Sequence, residues 1–284
     1  MPDESVSEVP VAAPSHGRAG RNLGAAVGAG AVLGAISLIS LFTVKWLFVG
    51  VAAVALIIAV FEFRAALANR GIRLDAVTLI AGVVVTSVAA AFGGIVGLAI
   101  AFGVLVLALA FLRLRHGTDG YVRDTTANVF VAAYLPFMVG FVVLMLRADN
   151  GPQRIVGFIL LTICSDIGGY VAGVFFGRHP IAPSISPKKS WEGFIGSLVL
   201  QSIAGAVIFV YLFGAPWWQG VITGLIMTVV ATCGDFVESA MKRDLGVKDM
   251  GTIVPGHGGM MDRLDSLVPN AFTAWVLFTY FLGA

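Results

Sequence analysis

Charge is what this chain has least of. Only 12% of its 284 residues are Asp, Glu, Lys or Arg, against roughly 25% in a typical soluble domain. The few charges are bunched between long apolar runs, which excludes an ordinary soluble enzyme and makes the bilayer the solvent for most of the chain. Cysteine is nearly absent. Cys164 and Cys233 are the two, both inside apolar segments, so no disulfide framework is expected and both read as small core side chains. A cleavable leader is not expected either, because the first apolar run has no clear cleavage site after it and is followed by many similar runs. No internal repeat is visible, so an inverted-repeat transporter gains nothing from that direction.

What is present is hydrophobic sequence, 58% of the chain, with 35 glycines that suit close helix packing in lipid. Residues 1–22, rich in Pro, Ser and Gly, read as a disordered cytoplasmic tail. A membrane span needs about 20 mostly apolar residues. Nine candidates follow: Leu23–Phe42, Trp46–Leu67, Ala76–Ala91, Gly93–Leu112, Thr126–Leu146, Arg154–Gly177, Glu192–Phe213, Trp218–Met241 and Asp262–Leu282. The expected fold class is therefore an all-α integral membrane bundle of about nine helices. Its N-terminal helices occupy 23–150 and its C-terminal catalytic region 151–284. Of 18 lysines and arginines, all but Lys45, Arg147 and Arg154 fall on one side of this arrangement. The positive-inside rule puts that side, and the N-terminus, in the cytoplasm, and the C-terminus outside.

Two loops on the cytoplasmic side carry the chemistry. One reads Ser186-Pro187-Lys188-Lys189-Ser190-Trp191-Glu192-Gly193. The other runs from Gly234-Asp235 through Glu238, Ser239, Lys242-Arg243, Lys248-Asp249 and Pro255-Gly256-His257-Gly258-Gly259 to Asp262-Arg263-Leu264-Asp265. Asp235, Glu238, Ser239 and Lys242 recur at helical spacing and share one helix face. Asp262 and Asp265 stand one turn apart at the start of the last span. Carboxylates from two helices suit a hard cation such as Mg²⁺, which takes oxygen ligands and keeps substrate phosphates in its shell. Gly256, Gly258 and Gly259 before a helix start favour phosphate, and Lys242, Arg243, Lys248 and Arg263 balance polyphosphate charge. Taken singly, Lys188 and Lys189 are a topogenic pair, Asp262 and Asp265 a helix cap, and His257 a loop histidine. The concentration of charged and glycine residues between Gly234 and Asp265 argues against that reading for the cluster as a whole. Asp166, deep in the sixth span, is costly in lipid, so it either serves function itself or pairs with a group that does.

These residues resemble the signature of the phosphatidate cytidylyltransferase (CDP-diacylglycerol synthase) family. Ser239, Lys242, Arg243, Lys248, Asp249, Gly251, Pro255, His257, Gly258, Gly259, Asp262, Arg263 and Asp265 stand at the family's spacings, with Val254 where Leu, Ile or Phe is usual. The Ser186–Gly193 stretch resembles a second family motif and Ser165-Asp166 with the following glycines a third. The likeness is detailed from about Leu161 onward and covers only the layout of spans before it. It implies the reaction CTP plus phosphatidate to CDP-diacylglycerol plus pyrophosphate. The charge bias puts that site at the cytoplasmic face, and the Ala-, Gly- and Val-rich composition points to a bacterial chain, so a bacterial plasma membrane is the expected location. The resemblance further implies Asp235 and Asp262 as principal Mg²⁺ ligands, with Asp265 and Asp166 as weaker members and a second cation left open. Lys242, Arg243, Lys248 and Arg263 would hold phosphates. Ser186, Lys188, Lys189, Glu192 and Ser239 would contact substrate, and His257 would order the Gly258-Gly259 turn. The expected partners are CTP, phosphatidate, the bilayer and a second copy of the chain as a homodimer, with no nucleic acid. Two rival readings are a CTP-dependent lipid kinase and an ion-coupled transporter.

Overall fold

The computed structural model describes residues 23–253 and 258–283. Helices α1 (Leu23–Thr43) and α2 (Lys45–Ala68) are separated only by Val44, which is extended. Helix α3 (Ala76–Arg113) starts on an Asp75 cap that accepts from Thr78 N–H at 3.1 Å. Next come α4 (Tyr121–Ala132), a π-helical turn (Ala133–Phe137) containing Pro136, and α5 (Met138–Arg147). Helix α6 (Gly151–Phe176) leads into an antiparallel hairpin of β1 (Pro180–Ala182) and β2 (Ser186–Ser190). Helices α7 (Trp191–Phe213) and α8 (Trp217–Leu245), the one-turn α9 (Met261–Leu264) and α10 (Leu267–Leu282) complete the chain. Among the described residues six helices are long and apolar enough to cross a membrane. The molecule is an all-α membrane architecture with one small β-hairpin, and that hairpin is the departure from the purely helical expectation.

Helix α3 contains two of the expected spans. Gly94 sits at φ 64°, ψ −150°, outside helical space and open to glycine without steric cost. Beyond it the chain folds back: Leu105 lies against Gly82, and a Cβ on Gly97 would stand 2.3 Å from the carbonyl oxygen of Ala89. A straight helix would hold residues 82 and 105 about 34 Å apart. The expected break at Phe92–Gly93 is thus a tight helical hairpin. The expected fifth span is two helices joined by the π turn, because Pro136 cannot supply the amide of a regular turn.

The ninth expected span is corrected at its start. Asp262 lies on α9 and Asp265 in the break before α10, which begins at Leu267. Pro269 explains the break: its ring and missing N–H are tolerated in the first turn of a helix and not further in.

Helices α6, α7 and α8 approach at backbone distance. A Cβ on Gly168 would be 2.6 Å from the carbonyl oxygen of Gly196, and one on Gly205 would be 2.1 Å from that of Gly220. Small residues permit this contact, which in lipid replaces the hydrophobic drive for helix association. Large apolar side chains such as Phe92, Phe175 and Tyr211 point outward, as lipid-facing surfaces do.

The two ends of the bundle use charge differently. At one end Lys45, Arg147 and Arg154 donate to the carbonyls of Leu146 (3.4 Å), Ala90 (3.3 Å) and Gly283 (2.8 Å). The three basic residues that stand apart from the rest therefore satisfy carbonyls near the ends of helices. At the opposite end Arg113, 7% exposed, pairs with Asp124, 1% exposed, at 2.9 Å. Asn128 beside them accepts from Asp75 N–H and donates to the Arg73 carbonyl, both at 2.8 Å, tying the loop before α3 to α4.

Candidate active site

The acidic stripe of α8 is where the site is built. Helical periodicity puts Asp235, Glu238 and Lys242 on one face, and neighbouring elements supply their partners. Lys189, projecting from β2, pairs with Asp235. Glu238 is buried and accepts from Lys242 Nζ at 2.5 Å, and the same ammonium donates to Asp262 Oδ1 at 2.9 Å. Lys242 therefore joins α8 to α9.

Asp262 is fixed from its other oxygen as well. Its Oδ2 accepts the backbone N–H of Gly259 at 2.8 Å and of Met250 at 3.0 Å. Burial works against its charge, but the Lys242 and Gly259 donors outweigh it and hold the carboxyl below the usual carboxylate range. Gly258, at φ 85°, lies so close that a Cβ there would stand 2.9 Å from Oδ2. Glycine is required at this turn for both reasons.

Asp265 accepts from Ser266 N–H at 2.8 Å and lies within electrostatic reach of Asp235, Glu238 and Asp166. Asp166, on α6, feels Asp235, Lys189 and Arg263. Between α6, α7, α8 and the β-hairpin opens a cavity of about 240 Å³. Asp166 and Asp235 line it, together with Ser165, Lys188, Lys189 and Ser190. Two carboxylates and two ammonium groups thus meet at one pocket, with the Lys242–Asp262 pair anchored on the same face of α8.

The remaining sequence-based candidates divide. Lys188 lines the cavity, whereas Ser186 sits on β2 opposite Ala182 and is not among the cavity-lining residues. Glu192 turns away from the cavity: it accepts from Arg178 N–H (3.1 Å) and His179 N–H (3.3 Å) and meets His179 Nδ1 at 2.5 Å, bracing the hairpin. Arg243 donates Nε to the Ile185 carbonyl at 2.5 Å and anchors the hairpin turn. Ser239 is on α8 and Lys248 is exposed in the loop after it. His257, with Val254, Pro255 and Gly256, lies outside the described residues.

Two residues escaped the sequence reading. Glu62 of α2, 4% exposed, accepts from the N–H groups of Met260 and Met261 at 2.8 Å each. A carboxylate between Phe61 and Phe63 inside an apolar run is the signal that would have found it. Tyr134, in the π turn, has a buried hydroxyl without a hydrogen-bond partner among the described residues and feels Asp265, Glu238 and Asp235.

The expected metal set is not assembled around a single point. Among the described residues no three Asp, Glu, His or Cys side chains converge as a cation cage. Asp235 and Asp262 each carry a lysine instead. The donor chemistry nonetheless fits a hard cation: every candidate ligand is a carboxylate oxygen, and Glu238 Oε1 is buried without a hydrogen-bond partner among the described residues.

A polytopic membrane protein with a pocket of facing carboxylates and lysines is the class these observations define. Comparison with known proteins narrows it. A model of the Cytidylyltransferase family matches residues 25–281. The phosphatidate cytidylyltransferase of Mycobacterium bovis is 38% identical over 276 residues, covering 92% of this chain and 90% of that protein. The one from Mycobacterium leprae is 37% identical over 278 residues, covering 92% and 89%. The Staphylococcus saprophyticus enzyme is 38% identical over 168 residues, covering 57% and 64%. The chain belongs to the cytidylyltransferase family.

Proposed function

We infer that this chain is a phosphatidate cytidylyltransferase: it converts CTP and phosphatidate to CDP-diacylglycerol and pyrophosphate. The observation that carries the reading is the pocket in which Lys188 and Lys189 face Asp166 and Asp235, beside the Lys242–Asp262 bridge. Its family membership, with relatives of that activity over 92% of the chain, supports the same reaction.

The chemistry asks little covalent work of the protein. A phosphate oxygen of phosphatidate attacks the α-phosphorus of CTP, the bond from that phosphorus to the bridging oxygen breaks, and pyrophosphate leaves with the electron pair. The nucleophile is already anionic, so the obstacle is bringing like charges together, and catalysis is positioning and neutralisation. Lys188 and Lys189 bind phosphate oxygens at the pocket, and Lys189 releases Asp235 as it does so. Lys242 holds Glu238 and Asp262 in register between α8 and α9. Asp235, Asp262, Asp265 and Asp166 would hold Mg²⁺, with Glu238 supplying a spare oxygen. A cation held by these carboxylates would supply positive charge against the substrate phosphates.

The finer topology belongs to the same reading. Counting the α3 hairpin as two spans and α4–α5 as one gives nine spans, with the N-terminus cytoplasmic and the C-terminus outside, in a bacterial plasma membrane. The basic residues gathered at the site end support it. A cytoplasmic site suits water-borne CTP and a lipid arriving within the leaflet, and the family resemblance adds a homodimer. Phosphatidate-dependent release of pyrophosphate from CTP by the purified protein tests the reaction. Release of CDP in its place would make the protein a lipid kinase.

A further inference from the structure

Glu62 lies in the last two turns of α2, in the N-terminal half, where the likeness to the family signature does not reach. The residue is 4% exposed. Its carboxylate accepts the N–H groups of Met260 and Met261, 198 and 199 residues away, at 2.8 Å each. Those amides open α9, so a side chain of α2 satisfies donors that a helix start leaves free. The loop is moulded on it: a Cβ on Gly251 would stand 2.2 Å from Glu62 Oε1, and one on Gly259 2.6 Å from both oxygens. The next residue of α9 is Asp262, which takes the Gly259 N–H at 2.8 Å. Successive amides of this turn are thus divided between two carboxylates, Asp262 on Gly259 and Glu62 on Met260 and Met261. An apolar side chain would serve α2 in lipid at far lower cost, so the carboxylate answers to the turn.

We propose that Glu62 is a positioning residue that locks the Gly259–Asp262 turn in the register presenting Asp262 to Lys242, making α2 a support of the active site. The inference rests on the reading of Asp262 as a catalytic-site ligand given above. Glu62→Gln keeps the shape but leaves one acceptor oxygen and sets an amide against the second N–H. Glu62→Asp keeps both acceptors on a shorter reach.

The test uses the full-length protein in detergent, with hydrogen–deuterium exchange beside kinetics. In Glu62→Gln the amides of 259–262 should exchange faster. Its kcat should fall roughly 10- to 100-fold, as a misplaced active-site group costs, with the KM values for CTP and phosphatidate little changed. Glu62→Asp should recover part of both effects. Parent-like exchange and kcat in Glu62→Gln would overturn the proposal. So would a lowered melting transition in which the folded fraction keeps the parent kcat and exchange, since that is a purely structural role. Full turnover in Asp262→Asn would instead overturn the reading of Asp262, while the exchange result still decides whether Glu62 orders the turn.

Discussion

Lys242 Nζ lies 2.9 Å from Asp262 Oδ1, and this contact ties the last turn of α8 to the isolated turn α9. Both side chains are mostly buried, at 18% and 5% exposure, and Glu238 at 2% shares the same ammonium. A cation between two carboxylates is thus built into the fold where the proposed chemistry needs positive charge.

Lys242→Met should therefore be destabilising as well as inactivating. It leaves Glu238 and Asp262 buried without their common partner, a change that costs about 3–5 kcal/mol. Thermal unfolding in detergent measures the loss. A parent-like melting transition would mean that water already screens the pair.

Lys189→Gln should act on substrate rather than on folding. Lys189 lines the pocket and pairs with Asp235 at partly exposed positions. A hydrogen bond to a charged group is worth about 1.5–3 kcal/mol, so kcat/KM for CTP should fall roughly 10- to 100-fold. Steady-state kinetics on the variant checks this, with the melting transition as control.

Asp235→Asn and Asp262→Asn should each abolish Mg²⁺-dependent turnover in a protein that still folds. The amide keeps the volume of the carboxylate and removes its charge. Turnover measured against Mg²⁺ concentration decides it, and full activity in either variant would remove that residue from the metal set.

Asp124→Ala should weaken the fold away from the chemistry. Arg113 would be left buried and uncompensated, again at a cost of about 3–5 kcal/mol. The expected result is a lowered melting transition, with the activity of the surviving folded protein kept.

Gly205→Val tests the helix packing. The added side chain would meet the carbonyl oxygen of Gly220 at 2.1 Å, forcing α7 from α8 and lowering stability by about 1–3 kcal/mol or more. Thermal unfolding in detergent should register it.

Much of this was legible in the sequence, and the reason is periodicity. Apolar runs located the helices, the 3.6-residue repeat placed Asp235, Glu238 and Lys242 on one face, and Phe92-Gly93-Gly94 marked the fold-back of α3. What stayed hidden depends on contacts between distant segments. Lys189 reaches Asp235 only because the chain after α6 turns into a β-hairpin, and Arg243 and Glu192 are spent bracing that hairpin. Asp262 and Asp265 were expected at the start of one long helix, but Pro269 moves that start past them. Glu62 was invisible as a site residue because its partners are backbone amides on the other half of the chain, which no side-chain pattern announces.

The most direct test of the central claim is to follow label from CTP into lipid. Purified protein, phosphatidate and Mg²⁺ are incubated with CTP labelled either in the cytidine or at the γ-phosphate, with and without chelator. Cytidine label entering the lipid phase, lost on chelation, with γ-label staying in water as pyrophosphate, is the expected result. Entry of γ-label alone, or of neither label into lipid by folded protein, would contradict it.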